Sequence, residues 1–192
     1  MSERRIEGLA EIGRARFYYD PETGSLHYKD PGPEGYATLK GYRIFMAKCL
    51  GRVAGSQHAD GYLRVNVGGR SFLAHRLIWA IMTGRDPGVT LDHRDGDRSN
   101  NRWTNLREAT RSQNAMNRGP RSDCSSGVRG VHWHKASNMW AASISAGGVS
   151  QHLGLFRSKD EARAAFIAAS DALHGEFAAH RGALREHHGA PA

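Results

Sequence analysis

The sequence holds only two cysteines in 192 residues, Cys49 and Cys124, and neither belongs to a C-x-x-C pair. A disulfide framework and a thiolate zinc site are therefore not expected, and a reducing compartment fits. No window approaches the roughly 18 consecutive apolar residues of a membrane span, and the start, MSERRIEGLAEIGR, has no apolar core of a secretory signal. These absences predict a soluble, cytoplasmic protein. Lysine is scarce as well: of 27 basic residues only 5 are Lys, so the net charge of +8 is carried by guanidinium groups. Arginine forks onto phosphates and stacks on bases, which points to a nucleic-acid partner without distinguishing DNA, RNA and an acidic protein.

The charge is not confined to a tail. Residues 1–70, 71–120 and 121–192 carry net charges of +3, +3 and +2. Residues 15–28 read as a hairpin, with ARFYY and SLHYK flanking a DPETG turn. GYLRVNV alternates apolar and polar residues, turns at Gly68–Gly69 into RSFLA, and leads into a helix from about His75 to Met82 that stops at Gly84. RGPRSDCSSG has the composition of a linker. Beyond it, GVRGVHWH, MWAASIS and SQHLGLF read as three strands, and Ser158–Glu161 as a capping box opening a helix whose buried stripe is Ala162, Phe166, Ala169 and Leu173. The expected fold class is α+β. Domain bounds are placed at 1–118, with a ββα unit over about 88–118, then a linker at 119–126, a three-stranded sheet plus helix at 127–180, and a flexible tail at 181–192.

The densest polar stretch is TLDHRDGDRSNNRWTNLREATRSQNAMNR, residues 90–118. Taken singly, each Asp or Asn here is an ordinary turn former. Taken together, Thr90–His93 reads as a strand end, Asp95–Gly96 as a turn, Trp103–Ala109 as a second strand, and Thr110 with Gln113 as a capping box. Such a unit can bring Asp92, His93, Asn105 and Asn114 toward one point. A carboxylate and an amide oxygen are hard ligands suited to Mg²⁺, and a neutral imidazole beside them suits a general base. A calcium loop built on Gly96 is excluded, because His93 and Arg102 fall where it needs carboxylates.

The string DHRDGDRSNNRWTNLREAT with the later QN, and the upstream GYLRVNVGGRSFLAHRLIWA, resemble the HNH endonuclease family in its phage and intron-encoded homing form, over about 15–118. The resemblance implies a phage or bacterial-host setting, with His93 as general base, Asn105 orienting its ring, and Asp92 and Asn114 as ligands of a divalent metal. Asn114 stands where many members have histidine, which favours Mg²⁺ or Mn²⁺ by ligand hardness. Arg94, Arg98, Arg102 and Arg107 surround the proposed site as phosphate contacts. A carboxylate such as Asp92 in a phosphate-binding stretch calls for a cation beside it. His75 is read as a structural residue of its helix.

Residues 126–178 resemble the APETALA-two/ethylene-response-factor DNA-binding domain: GVRGV, a Trp-Ala-Ala-x-Ile strand, LGLF and an Ala-rich helix occur in order. The resemblance implies a sheet laid in the major groove, with Arg129, His132, His134, Trp140 and Ser143 on or near the DNA face. Trp133 and Trp140 also suit core positions against Phe166. The combined expectation is a metal-dependent DNA endonuclease acting on double-stranded DNA, with no membrane partner and no small-molecule cofactor, and a monomer favoured. The competing expectations are a DNA-binding regulator that uses a nuclease fold without cutting, and an RNA-binding module.

Overall fold

The computed structural model describes residues 8–120 and 124–178. It is a mixed α+β chain of short helices and small sheets. Two compact units are present: the described residues up to His93 together with Asp97–Glu108, and Arg94–Gly96 with the described residues from Ala109 onward. The division falls inside the stretch expected to be one nuclease domain. The expected tail at 181–192 and residues 121–123 of the expected linker lie outside the described residues.

The first unit opens with helix α1 (Leu9–Arg16), which runs into the hairpin β1 (Phe17–Asp20) and β2 (Ser25–Tyr28). The strands pair antiparallel with Phe17 opposite Tyr28 and Asp20 opposite Ser25. Asp20 organises the turn by accepting hydrogen bonds from Glu22 N and the Thr23 hydroxyl, at 3.0 and 2.8 Å. Helix α2 (Leu39–Lys48) follows, capped by the Thr38 hydroxyl, which accepts from Gly41 N. A three-stranded antiparallel sheet orders β3 (Ser56–Gln57), β4 (Leu63–Val67) and β5 (Arg70–Leu73); the β4–β5 hairpin is the expected one, and β3 adds a strand that the sequence did not suggest. Helix α3 (Ala74–Thr83) buries Leu77, Ile78 and Trp79 and ends at Gly84, whose N–H donates to Ala80 O. It is the central core element, packed with Ile12, Phe17, Leu26, Val65, Leu91 and Leu106. Arg14 ties α1 to its end by donating to Ile81 O at 3.0 and 3.3 Å.

Strands β6 (Thr90–His93) and β7 (Leu106–Ala109) form a two-stranded ribbon. The second strand is shorter than expected. Trp103–Asn105 is a 3₁₀ turn, closed by Asn105 N donating to Arg102 O and by the Asn105 amide donating to Asn100 O at 2.7 Å. Asn side chains compete for local backbone groups in this way, and that competition overrides the strand tendency of Trp103. Trp103 instead packs its ring against Trp79, with centroids 5.1 Å apart.

The second unit begins with α4 (Arg111–Met116), where Thr110 and Gln113 make the expected capping box. Its sheet orders β8 (Val131–His134), β9 (Met139–Ala146) and β10 (Val149–Phe156), with β9 central, all antiparallel. Helix α5 (Lys159–His174) covers one face behind the Ser158–Glu161 capping box. The core is Val131, Ala142, Ile144, Ala162 and Phe166. The helix stripe follows expectation through Phe166 and Ala169, which packs against the core, and departs from it at Leu173. It continues through Ser170 and His174, which are buried, while Leu173 is exposed. Spacing of four keeps these two polar residues on the sheet face, where His174 meets Ser170 Oγ and Ser145 O. Ser126, expected in the linker, is also buried, and its hydroxyl donates to Val131 O at 2.6 Å. Ser126 therefore packs with the sheet. Among the described residues no helix is long and apolar enough to cross a membrane.

Candidate active site

Strand β6 delivers Asp92 and His93 into the interior of the first unit, where they are 5% and 4% exposed. An ionised carboxylate at that depth requires a partner. Arg107 on β7 supplies it: its Nε and Nη2 donate to Asp92 Oδ2 at 2.9 and 2.7 Å, and Arg107 is itself buried. This corrects the expectation that Arg107 holds phosphate at the surface. It also means that the cation expected beside Asp92 is, at least in part, a guanidinium of the same chain.

His93 faces a buried amide through one ring nitrogen. Its Nε2 lies 3.0 Å from Asn101 Oδ1, and the Asn101 amide nitrogen donates to Ser99 O at 3.3 Å. The amide, oriented by that second bond, presents its oxygen to Nε2, an arrangement that suits the tautomer protonated there. Asn101 is almost wholly buried, and its carbonyl accepts from the Tyr19 hydroxyl at 2.8 Å. The turn that presents it is built by Asp97, whose Oδ1 accepts from the N–H and hydroxyl of Ser99 at 2.8 and 2.7 Å. Burial raises the Asp97 carboxyl, but the two Ser99 hydrogen bonds and the nearby His93 together bring it below its usual range. Asn105, expected to orient His93, donates to Asn100 O and so braces the turn carrying Asn101.

An aromatic group backs His93 in the same unit. His75 meets it edge to face, with centroids 5.2 Å apart and planes at 83°, and Tyr62 lies 5.2 Å from His75 and 6.1 Å from His93. Burial pushes the His75 imidazole down to about 3, with His93 and Arg76 adding to the effect, so it is neutral at neutral pH. Arg98 stacks over Tyr62 at 4.9 Å and donates to Asp60 O at 2.7 Å, while remaining exposed. Arg102 is exposed, with Nε donating to Glu22 O at 2.8 Å. Sequence reasoning missed Asn101 and Tyr62 and gave His75 no link to His93. The adjacent Asn100–Asn101 pair offered no means to tell the inward amide from the outward one.

Asn114, the second expected metal ligand, stands half-buried on α4, in the second unit. Among the described residues no three His, Cys, Asp or Glu side chains group to hold an ion. Mg²⁺ does not need such a group, since it takes one or two protein oxygens and keeps several waters. A carboxylate such as Asp92 has lone-pair capacity beyond one arginine fork. Asp92 and an amide oxygen thus fit a hydrated hard cation in donor chemistry, although the Arg107 pair means that charge balance alone does not demand one.

In the second unit, Arg94 pairs with Glu176 at 3.0 Å on the surface. Arg129 turns away from the expected DNA face: its Nη1 donates to Met116 O and Arg118 O at 2.8 and 2.6 Å, fastening that segment to the sheet. Trp140 is likewise corrected, because it packs on the helix-side core, and its cross-strand partner Trp133 meets it at 5.2 Å. Strand alternation puts His132, His134 and Ser143 on the opposite face, where Ser143 pairs with His152 of β10. His134 Nδ1 lies 2.8 Å from Ser137 Oγ.

Residues 72–116 match the HNH endonuclease family. The chain is 36% identical over 110 residues to Protein 3.8 of Escherichia phage T7, covering 56% of this chain and 88% of that protein. An uncharacterized HNH endonuclease of Acanthamoeba polyphaga mimivirus is 32% identical over 107 residues, and DNA endonuclease I-HmuI of Bacillus phage SP01 is 38% identical over 68 residues. The chain spans 54% and 39% of the lengths of these two. A solved structure, described as DNA binding and cleavage by the HNH homing endonuclease I-HmuI, aligns at 25% identity over 77% of this chain and 75% of that one, with a TM-score of 0.35. The matched stretch contains His75, Asp92, His93, Asn101, Asn105 and Arg107, and a relative is covered over 88% of its length. The chain belongs to the HNH endonuclease family.

Proposed function

We propose that this protein is a divalent-metal-dependent endonuclease that hydrolyses phosphodiester bonds of double-stranded DNA and is held on the duplex by its C-terminal sheet module. The observation that carries the reading is the Asn101 contact on His93, which orients a buried imidazole next to Asp92. A general base must be oriented before it can accept a proton, and the Asn101 contact orients this ring. His93 takes a proton from the attacking water at Nδ1, and the imidazolium formed is stabilised by the Asn101 oxygen at Nε2. Asn105 contributes through the turn it braces, and Asp97 adds negative charge nearby. Within the first unit Asp92 is the residue that would hold Mg²⁺ or Mn²⁺, and such an ion would supply charge neutralisation at the scissile phosphate. The expected products carry 5′-phosphate and 3′-hydroxyl ends. A single site per chain suits nicking by a monomer.

Among the surface arginines, Arg94, Arg98 and Arg102 are exposed and suit phosphate contact, although each also has a partner within the chain. On the sheet, His132, His134 and Ser143 are the candidates for the DNA face, and the resemblance to the APETALA-two type supports that side of the sheet. The Asp92–Arg107 pair favours a second reading, a DNA-binding regulator in which the carboxylate is only structural. Supercoiled plasmid incubated with the protein separates the two. The endonuclease reading predicts relaxed or linear DNA with Mg²⁺ and none with EDTA. Binding without any strand break in either Mg²⁺ or Mn²⁺ overturns it in favour of the regulator.

A further inference from the structure

Helix α2 buries none of its ten residues, yet it is capped and anchored along one side. The Tyr42 hydroxyl donates to both oxygens of the Asp30 carboxylate at 3.1 and 3.0 Å, and Phe45 meets Tyr28 edge to face at 5.7 Å and Tyr36 at 5.4 Å. The opposite side is Lys40, Arg43, Ile44, Ala47 and Lys48, all exposed. These positions follow helical spacing of three and four, so three cations share one face with an aliphatic and a small residue between them. Ile44 is 48% exposed between these cations, on the side away from the aromatic anchors. From residue 35 to residue 59 the sequence contains Lys40, Arg43, Lys48 and Arg52 and no Asp or Glu.

We propose that α2 is a DNA-contacting helix, docking its Lys40–Arg43–Ile44–Ala47–Lys48 face on duplex DNA. This deepens the endonuclease reading and rests on it for the choice of a nucleic-acid ligand. Three observations single out duplex DNA as the occupant. A ten-residue helix is ~15 Å long and ~10 Å across, which fits the major groove of B-DNA, about 12 Å wide. Duplex RNA has a major groove too narrow for a helix. A second copy of the chain joined by a two-fold axis would bring these same cations face to face with no carboxylate on the helix to offset them. On DNA the three cations meet phosphates, and Ile44 with Ala47 can approach base edges, where the thymine methyl offers an apolar contact.

The test uses the full chain and a 30-base-pair duplex of random sequence, followed by fluorescence anisotropy across a salt series. Lys40→Ala, Arg43→Ala and Lys48→Ala are combined in one variant. A control variant combines Arg157→Ala, Lys159→Ala and Arg163→Ala, exposed cations at the start of α5, with the same change of net charge. The α2 variant is expected to bind on the order of tenfold more weakly at moderate salt, with a salt slope shallower by about 2 to 3, while the control stays near the parent. Single variants of Lys40, Arg43 and Lys48 are read alongside and each lowers the slope by about 1, so the result does not depend on the triple variant folding. An unchanged slope in all the α2 variants overturns the proposal. Equal weakening by both triple variants overturns it too, since bulk charge then accounts for the loss. So does concentration-dependent dimerisation of the parent that the α2 variant abolishes. Plasmid cutting is scored separately with Mg²⁺: a parent that binds the duplex but never cuts removes the endonuclease reading and leaves the α2 result standing.

Discussion

Arg107 illustrates how one residue type can be assigned to the wrong partner. In a stretch rich in arginine beside a proposed metal site, an outward guanidinium waiting for phosphate is the natural expectation. Its position on β7, opposite the strand carrying Asp92, turns it inward instead. Removing one member of a buried ion pair strands the other, so Arg107→Ala is expected to cost about 3 to 5 kcal/mol, visible as a large fall in Tm. Arg107→Lys is expected to recover only part of it, because an ammonium cannot reproduce the Nε and Nη2 fork on Oδ2. A Tm unchanged by Arg107→Ala would remove the pair from the stability account. His75 gives a second residue-scale expectation. It is neutral in the fold, with its imidazole pushed from 6.5 down to about 3, whereas the unfolded chain protonates it as pH drops below 6.5. Its contribution is therefore fully present above 6.5 and is lost as pH falls from there toward about 3. His75→Phe keeps a buried ring without that titration, so its thermal stability should decline less than the parent's between about pH 7 and pH 4. Parallel declines would show that His75 is not the acid-sensitive group.

Elements were legible where the determining contacts are local. Both capping boxes, Thr110–Gln113 and Ser158–Glu161, and the hairpin around Asp20–Gly24 are set by residues within a few positions of one another. What escaped the sequence depends on contacts between distant positions. That Asn101 meets His93 is decided by how the 97–105 turn packs, and Trp140 faces the helix rather than DNA because register pairs Ala142 with Val131 in the core. Adjacent Asp92 and His93 at a strand end were readable, since a strand end presents neighbours with known spacing. Two glycines show how tightly these elements meet. Gly24 has φ +78°, and a Cβ there would lie 2.5 Å from Arg102 N and 2.7 Å from Asn101 C, the backbone that carries the His93 clasp. Gly130 has φ +71°, and a Cβ there would collide with the Phe166 ring and the Ser143 carbonyl. Gly130→Ala should therefore destabilise the sheet and helix of the second unit, with the loss read as reduced amide protection in β8 and β9. Gly24→Ala should do the same at residues 101 and 102 in the first unit. Uniform protection in either variant would contradict the close approach.

At the scale of the whole molecule, the spread of positive charge acquires a structural distribution. Cations expected to contact DNA divide into those engaged by groups of the protein, Arg107 around the active site and Arg129 on the sheet module, and those left at the surface, Arg94, Arg98 and Arg102. The α2 face adds three that the sequence pattern did not single out. Family membership and the clasp on His93 converge on hydrolysis of DNA, and the proposed base bears the weight of that account. The most direct test compares the parent with His93→Ala, by cleavage of plasmid in Mg²⁺ and by anisotropy on duplex DNA. The account predicts that the variant keeps the parent's affinity for DNA and its fold while losing cleavage by at least about a hundredfold, as expected for removal of a general base. Equal cutting by the variant and the parent would contradict it.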